Sequence, residues 1–236
     1  MKKIISLIKK ELAFFLNTYL GYLVAVLFAV FANFLFIKDL FLRGDTSMRP
    51  FFDLVPWLFL IFIPALTMRV FAQERQNHTL EVLLTLPVDE KAMVIAKFVA
   101  LLIFCGICLT LTLSLPITLA LLGGVALTEV IVSYCGVLLI IASFIAVGMF
   151  FSALTKNQIV AYLVTIIVLF FTLVFGGDFF ATFIPSSLRE LIIYFVPAYH
   201  YELFLKGIID LRALMYFVSF TGLFLFLTTV TLKTRE

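Results

Sequence analysis

The sequence predicts an all-α integral membrane protein with six transmembrane helices, because of its composition and its long uncharged runs. Hydrophobic residues make up 64% of the 236 positions and charged residues only 13%, and the mean hydropathy is +1.21. Soluble domains usually contain about 45–50% apolar and about 25% charged residues. A water-soluble fold could not bury this apolar excess, so lipid must surround much of the surface.

Six apolar runs are long enough to cross a bilayer as helices. A helix needs about 20 apolar residues to span a hydrocarbon core of about 30 Å, and only a helix satisfies its own backbone groups there. The second run is the shortest between charges, but apolar residues flank it and Arg69 can reach the interface. The predicted spans lie at about 19–37, 51–71, 93–122, 129–154, 158–177 and 212–232.

The distribution of lysine and arginine predicts that both termini are cytoplasmic. In that orientation the cytoplasmic segments contain eleven of the 17 basic residues and the outer segments contain six. This bias agrees with the positive-inside rule. The expected location is therefore the inner (plasma) membrane, which the chain crosses several times.

Two helices are predicted on the cytoplasmic side outside the spans. Residues 1–17 place lysines on one helical face and apolar residues largely opposite, which is typical of an amphipathic interfacial helix. A second, short helix is predicted over about 79–90, with Thr79 as its N-cap and Glu81 complementing the dipole of its first turn. A capped helix held between two spans is suited to dock into a partner; a solvated loop with local helix is the alternative.

The outer segment over about 179–209 is too hydrophobic for a solvated loop. Ser187 and Glu190 form a capping box, which predicts a short helix that ends before Pro197. A second short helix is predicted to end at Gly207, since glycine suits a left-handed cap. Two such helices are too short to cross the membrane, so they predict a split helical hairpin over the outer mouth of the bundle.

The segment 68–87 resembles the coupling-helix region of ABC-2-type transporter permeases, and in particular that of the gliding-motility-associated permease subunits. Its sequence is MRVFAQERQNHTLEVLLTLP. Further pieces are similar to the same family at residues 10–24, 53–69, 151–158 and 207–219. The chain departs from the family pattern at Gln73, where the family usually has an acidic residue, and at His78, where it usually has glycine.

The resemblance implies a dimer of six-helix subunits bound to two ATP-binding subunits. It also suggests two other protein partners: a second permease copy, identical or closely related, and an extracytoplasmic auxiliary subunit. The permease itself would contact membrane lipid, and it would not bind nucleic acid. It assigns ATPase coupling to Glu74, Arg75, Thr79, Glu81 and Lys156. It assigns an N-terminal connecting helix to Lys9, Lys10 and Glu11, and an outer gate to Pro185, Pro197, Glu202 and Lys206.

No nucleotide-binding motif of the form Gly-x-x-x-x-Gly-Lys-Ser/Thr occurs in the sequence. We therefore expect ATP and Mg²⁺ to bind to a partner ATPase, and we expect this chain to be a transport subunit and not an enzyme. Cys105 and Cys108 have C-x-x-C spacing, but an apolar membrane interior disfavours the thiolates that redox or metal chemistry needs. We expect no metal and no cofactor on this chain.

Two other function classes can be compared with an ATP-driven exporter. An ATP-independent six-span channel or carrier requires polar groups along the spans, and Asn33 is the strongly polar side chain well inside the first one. Asn33 is either a helix-packing contact or a pathway residue. An intramembrane hydrolase requires paired catalytic carboxylates, which the spans lack. The near-absence of polar groups suits an amphipathic cargo, although the sequence identifies no substrate.

Overall fold

The computed structural model describes residues 2–43, 47–76, 89–121, 126–175 and 194–234. We number its principal helices α1 to α9 in chain order. They are α1 (Lys2–Asn17), α2 (Tyr19–Arg43), α3 (Arg49–Thr67), α4 (Glu90–Thr110), α5 (Ser114–Leu121), α6 (Leu127–Leu154), α7 (Gln158–Val174), α8 (Pro197–Leu205) and α9 (Leu211–Lys233). Residues 69–76, which continue α3 through a π-helical turn at Arg69–Gln73, are called the stem.

Five helical stretches of the described chain are long and apolar enough to cross a membrane. They are Tyr19–Leu42, Arg49–Gln76, Glu90–Leu121, Leu127–Leu154 and Leu211–Lys233. The apolar helix α7 has 17 residues, which rise about 26 Å and fall short of a full hydrocarbon core. Residues 176–193, which follow α7, lie outside the described part of the chain. The structure thus shows an all-helical membrane protein with five candidate spans, and the sixth stays a prediction.

Two predicted spans differ from the observed helices for local reasons. The helix α2, which contains the first predicted span, continues past residue 37 to Arg43. Charged side chains end an apolar run of sequence, but they do not end a helix. The third span is interrupted by a turn at residues 111–113. Pro116 has no N–H with which to continue the helical ladder, and the N–H of Leu115 bonds the carbonyl of Thr112 at 3.2 Å instead.

The N-terminal helix α1 packs against α4 as well as meeting α2 at a sharp corner. The Phe15 side chain is buried, and its ring lies 5.9 Å from the ring of Phe104 on α4. At the corner, Gly21 approaches the carbonyl oxygen of Phe15 so closely that a Cβ atom would lie 1.8 Å from it. The glycine therefore permits α1 to fold back across the end of the bundle.

The central helix is α6, which contacts α3, α4, α7, α8 and α9. Small residues let its neighbours approach closely, as is usual where helices pack in membranes. A Cβ atom on Gly136 would lie 2.4 Å from the Cβ of Phe204, and one on Gly148 would lie 2.3 Å from Oγ1 of Thr67. These two glycines set how near α8 and α3 lie to α6.

Substituting alanine for the two glycines of α6 is expected to destabilise the protein, whereas the same change elsewhere is not. Gly148→Ala and Gly136→Ala force neighbouring groups apart and should each cost about 1–3 kcal/mol. Gly222→Ala on α9 is the matched control, because nothing lies within 4 Å of its added Cβ; it should be neutral or stabilise by up to about 1 kcal/mol. Apparent Tm values of the purified protein in detergent test this, and equal Tm shifts for all three variants would contradict the packing.

The outer segment is described only from residue 194 onward. Gly207 has φ +72°, so its predicted left-handed conformation is confirmed. Pro197 occupies the first turn of α8, a position where the missing N–H is harmless. Up to residue 193, the helix predicted before Pro197 lies outside the described residues, as does Pro185.

The helix α8 is held in the bundle by two hydrogen bonds to other helices. The Tyr201 hydroxyl donates to the carbonyl of Phe52 at 2.7 Å, and the Ser133 hydroxyl donates to the carbonyl of Phe204 at 3.2 Å. Burial, and to a lesser degree the charge of Asp53, raises the pKa of Tyr201 well above its usual range. The hydroxyl therefore keeps its proton, and α8 stays anchored to α3 and α6.

Candidate functional site

The stem begins where a side chain of α6 replaces part of the helical hydrogen-bond ladder of α3. The Ser152 hydroxyl oxygen accepts hydrogen bonds from the backbone N–H groups of Phe71 and Ala72, each at 3.1 Å. Those two donors would otherwise serve the carbonyls one turn earlier. Insertion of a side chain into the ladder is a recognised cause of a π-helical turn. Ser152, near the C-terminal end of α6, therefore determines the direction in which the stem continues from α3.

A buried ammonium group joins the stem to two other helices. Lys97 on α4 is only 2% exposed. Its Nζ donates to Oε1 of Glu74 at 2.5 Å and lies 3.3 Å from Oε1 of Glu11 on α1. It also donates to the carbonyl oxygen of Val70 at 3.2 Å and lies 5.5 Å from the centre of the Phe71 ring. We call Lys97, Glu74 and Glu11 the charge cluster.

The charge cluster depends on all three of its members. A charge taken out of water is costly unless it is paired, and removing one partner of a buried pair usually costs about 3–5 kcal/mol. Here one cation serves two carboxylates that come from different helices. The positions of α1 and the stem are therefore both coupled to α4 through a single side chain.

The far end of the stem is attached to the turn between α6 and α7. Nη1 of Arg75 donates to the carbonyl of Ala153 at 2.9 Å, where a cation also complements the negative end of the α6 dipole. Nε2 of Gln158 donates to Oε1 of Gln76 at 3.0 Å. Asn157 caps α7 by accepting from the N–H of Ile159 at 2.9 Å, so the turn itself is well defined.

The chain that follows residues 77–88 is joined to the last helix, α9, by an ion pair. Glu90, at the start of α4, lies 3.6 Å from Nζ of Lys233, at the end of α9. The pair is partly exposed, with 22% and 50% of the two side chains accessible, and exposed pairs contribute at most about 1 kcal/mol. Parts of α1, α4, α6, α7 and α9 thus meet at the end of the bundle where residues 77–88 begin and finish.

The sequence profile of a family described as ABC-2 family transporter protein matches residues 38–232. The chain belongs to the ABC-2 transporter family. No curated protein matches it. The ABC-2 protein is accordingly a multi-pass membrane protein and the permease subunit of an ABC transporter, a transport component that is not itself catalytic. The matched region includes Glu74 and Lys97 but not Glu11.

The structure of the ABC-2 protein brings some of the predicted residues together and separates others. Glu74, Arg75 and Glu11 lie in or beside the stem. Lys156 is exposed in the turn between α6 and α7, and Lys9 and Lys10 are exposed on α1. Pro197, Glu202 and Lys206 belong to or follow α8, which packs on the N-terminal half of α6. Thr79 and Glu81, and with them the helix predicted over about 79–90 up to residue 88, lie outside the described residues.

Three residues of the stem attachment were not singled out by sequence reasoning: Lys97, Ser152 and Gln158. Lys97 was counted only as one of the basic residues that set the orientation. A usable signal existed, because a lone cation inside an apolar helix requires an acidic or carbonyl partner. Ser152 offered no comparable signal, since serine is common wherever membrane helices pack.

The described part of the chain contains no group of three His, Cys, Asp or Glu side chains placed to hold a metal ion. Cys105 and Cys108 are both buried in α4 as free thiols. The stem is joined to its neighbouring helices by ion pairs and hydrogen bonds.

Proposed function

We propose that this ABC-2 permease couples ATP hydrolysis in a separate subunit to the export of a substrate, and that the stem transmits the movement. The observation that carries the proposal is the attachment of the stem to side chains of α4, α6 and α7, together with the link from α4 to α1 through Lys97. A segment fixed in this way cannot move alone. Force applied to residues 77–90 would be passed to the spans.

The proposed mechanism is alternating access. Closure of the ATP-binding subunits would displace the predicted helix at about 79–90, and the stem would tilt α3 against α6. Packed helices change between discrete arrangements, so a small displacement at one end can produce a larger one at the other. The outer segment, with Pro185, Pro197, Glu202 and Lys206, would form the gate that opens in response. Thr79 would start the coupling helix, and Lys156 would contribute a second contact to the ATPase.

The proposed assembly contains two permease copies and two ATP-binding subunits, with ATP and Mg²⁺ bound to the latter. Both termini and the stem would face the cytoplasm, and the membrane would be the inner (plasma) membrane. Basic side chains at the stem end of the bundle (Lys9, Lys10, Arg75, Lys91, Lys97 and Lys233) support this orientation. By its resemblance to gliding-motility-associated permeases, the complex would also include an extracytoplasmic auxiliary subunit.

The position of Asn33 favours a packing or local role over a hydrophilic pathway. Its Nδ2 donates to the carbonyl of Ala29 in the same helix at 2.6 Å. A side chain engaged by its own helix is poorly placed to bind a passing ion. An amphipathic substrate that moves between apolar helices remains the better match to the polar-poor spans.

Reversing charges at Glu74 and Glu81 is expected to uncouple the transporter. Glu74→Lys and Glu81→Lys should each lower permease-stimulated ATP hydrolysis by about tenfold or more, because a misplaced charge at a desolvated contact costs several kcal/mol and about 1.4 kcal/mol corresponds to a tenfold change in rate. The measurement uses the permease purified together with an ABC ATP-binding subunit. Glu129→Lys, an equal change at an exposed site near the start of α6, is the control and should leave the rate unchanged.

The two variants report on different parts of the proposal. Glu74→Lys also disrupts the charge cluster, so a loss of activity there could reflect instability, whereas Glu81→Lys tests the contact with the ATPase. Normal rates in both, or a wild-type permease that never retains an ATP-hydrolysing subunit, would refute the coupling role.

A further inference from the structure

A cavity of about 630 Å³ opens between α2 and α3 at the end of the bundle opposite the stem. One part of its wall is apolar and consists of Leu35, Leu42, Leu54 and Trp57. The other part carries both signs of charge, from Lys38 and Arg49 on one hand and Asp39 and Asp53 on the other. The cavity therefore combines an apolar surface with separate positive and negative groups, and it lies at one end of the membrane-spanning helices.

Two of the opposite charges in this cavity, those of Arg49 and Asp53, lie near each other without forming a direct ion pair. Within the described residues, neither the Arg49 guanidinium nor the Asp53 carboxylate takes part in an ion pair or a side-chain hydrogen bond. The two residues are one helical turn apart on α3, at the start of a membrane-spanning stretch. Charged groups in such a position are costly unless they meet a partner of opposite charge.

We propose that the cavity binds a phospholipid whose headgroup carries a primary ammonium and a phosphate, namely phosphatidylethanolamine. The phosphate accepts hydrogen bonds from Arg49 and Lys38, and guanidinium groups match phosphate oxygens well. The ammonium donates to the Asp53 carboxylate. The acyl chains lie along the leucine side chains and Trp57, a residue type that favours the headgroup level of membranes.

The arrangement of charges favours this headgroup over the other common ones. Phosphatidylglycerol supplies an anion but no cation, so Asp53 would face a phosphate without compensation. Phosphatidylcholine supplies a cation with no N–H, so it cannot form the charge-assisted hydrogen bond to the carboxylate. Only a headgroup with both features satisfies the two sides of the cavity.

Trp57 makes the binding directly measurable, because it is the single tryptophan in the chain and lines the cavity. The permease is reconstituted in dioleoylphosphatidylcholine with increasing fractions of one lipid whose acyl chains are brominated. Bromine quenches tryptophan fluorescence on contact, so the quenching at each fraction gives the affinity of that lipid relative to the host lipid. Brominated phosphatidylethanolamine, phosphatidylglycerol and phosphatidylcholine are compared.

We expect phosphatidylethanolamine to bind about tenfold more tightly than either competitor, which is the effect of one charge-assisted hydrogen bond. Asp53→Asn should abolish the preference over phosphatidylcholine, and Arg49→Gln should weaken the binding of every phospholipid. Glu202→Gln, which removes an exposed carboxylate on α8, should change nothing.

Equal quenching by the three lipids, or tighter binding of phosphatidylglycerol, would overturn the proposal. Should Asp53→Asn fail to fold, the order of the three lipids on the wild-type protein still decides the question. The experiment needs no ATPase, so it can fail or succeed independently of the proposed coupling function.

Discussion

Replacing Lys97 with methionine is expected to lower the apparent Tm of the permease by about 10 °C or more. The substitution keeps the length and much of the apolar part of the side chain, but it removes the buried ammonium group from the carboxylates of Glu74 and Glu11, which are 20% and 16% exposed. Breaking a buried ion pair by removing one partner typically costs about 3–5 kcal/mol. In a protein of this size each kcal/mol corresponds to about 2–4 °C.

The controls for this prediction lie in the same helix and in the same cluster. Lys91→Met makes an identical chemical change at an exposed position on α4 and should shift the Tm by no more than about 2 °C. Combining Lys97→Met with Glu74→Gln and Glu11→Gln removes the uncompensated charges, and it should recover most of the lost stability. Thermal unfolding of the detergent-solubilised proteins measures all three.

A Tm for Lys97→Met that matches the Lys91→Met control would show that the charge cluster does not form in the folded protein. A triple variant no more stable than Lys97→Met alone would show that the carboxylates are not the source of the loss. Either result would remove the electrostatic basis for coupling α1 and the stem to α4.

Replacing Ser152 with alanine is expected to lower both the stability of the permease and its coupling to ATP hydrolysis. The hydroxyl accepts two buried backbone N–H groups, from Phe71 and Ala72. A buried donor left without an acceptor costs about 1–3 kcal/mol, although the π-helical turn can relax to an α-helix and recover part of this. That relaxation removes one residue from the turn and rotates the rest of the stem by about 100°.

The rotation would carry Glu74 away from Lys97, so the consequences extend beyond the lost hydrogen bonds. Hydrogen exchange followed by mass spectrometry should show faster exchange in residues 69–76, with a fall in permease-stimulated ATP hydrolysis. Ser143→Ala is the matched control. That serine is also buried on α6, but its hydroxyl donates to the carbonyl of Leu139 in its own helix at 3.1 Å.

Among the described residues the Ser143 hydroxyl bonds only within its own helix, so its loss should leave exchange in the stem unchanged. Equal exchange in the Ser152→Ala and Ser143→Ala variants would mean that Ser152 does not set the course of the stem. Faster exchange with normal ATP hydrolysis would instead confine its role to local structure.

Much of the local structure could be predicted because its causes lie within a few residues of each other. Gly207 adopts the left-handed conformation that its position after a short apolar helix predicted. The family resemblance rested on similarly local runs, and the ABC-2 profile match over residues 38–232 agrees with it.

The attachment of the stem could not be predicted in the same way. Its hydrogen bonds and ion pairs join residues that are between 23 and 86 positions apart along the chain. Sequence reasoning identified Glu11 and Glu74 separately, for their resemblance to family segments, and it treated Lys97 as one basic residue among 17. No local pattern predicted that Lys97 would form ion pairs with both Glu11 and Glu74.

The sequence by itself determined that this protein is an integral membrane protein, that its spans are helical, and that it belongs to the ABC-2 transporter family. These properties follow from composition, from the length of apolar runs and from short motifs, all of which act locally. Only the tertiary structure decided that α1, α4 and the stem share one buried cation, and that α6 bends the stem through Ser152. The physical reason is that the hydrophobicity of each segment determines whether it forms a helix in lipid. Which helices then contact each other depends on close packing and on the need to pair buried charges.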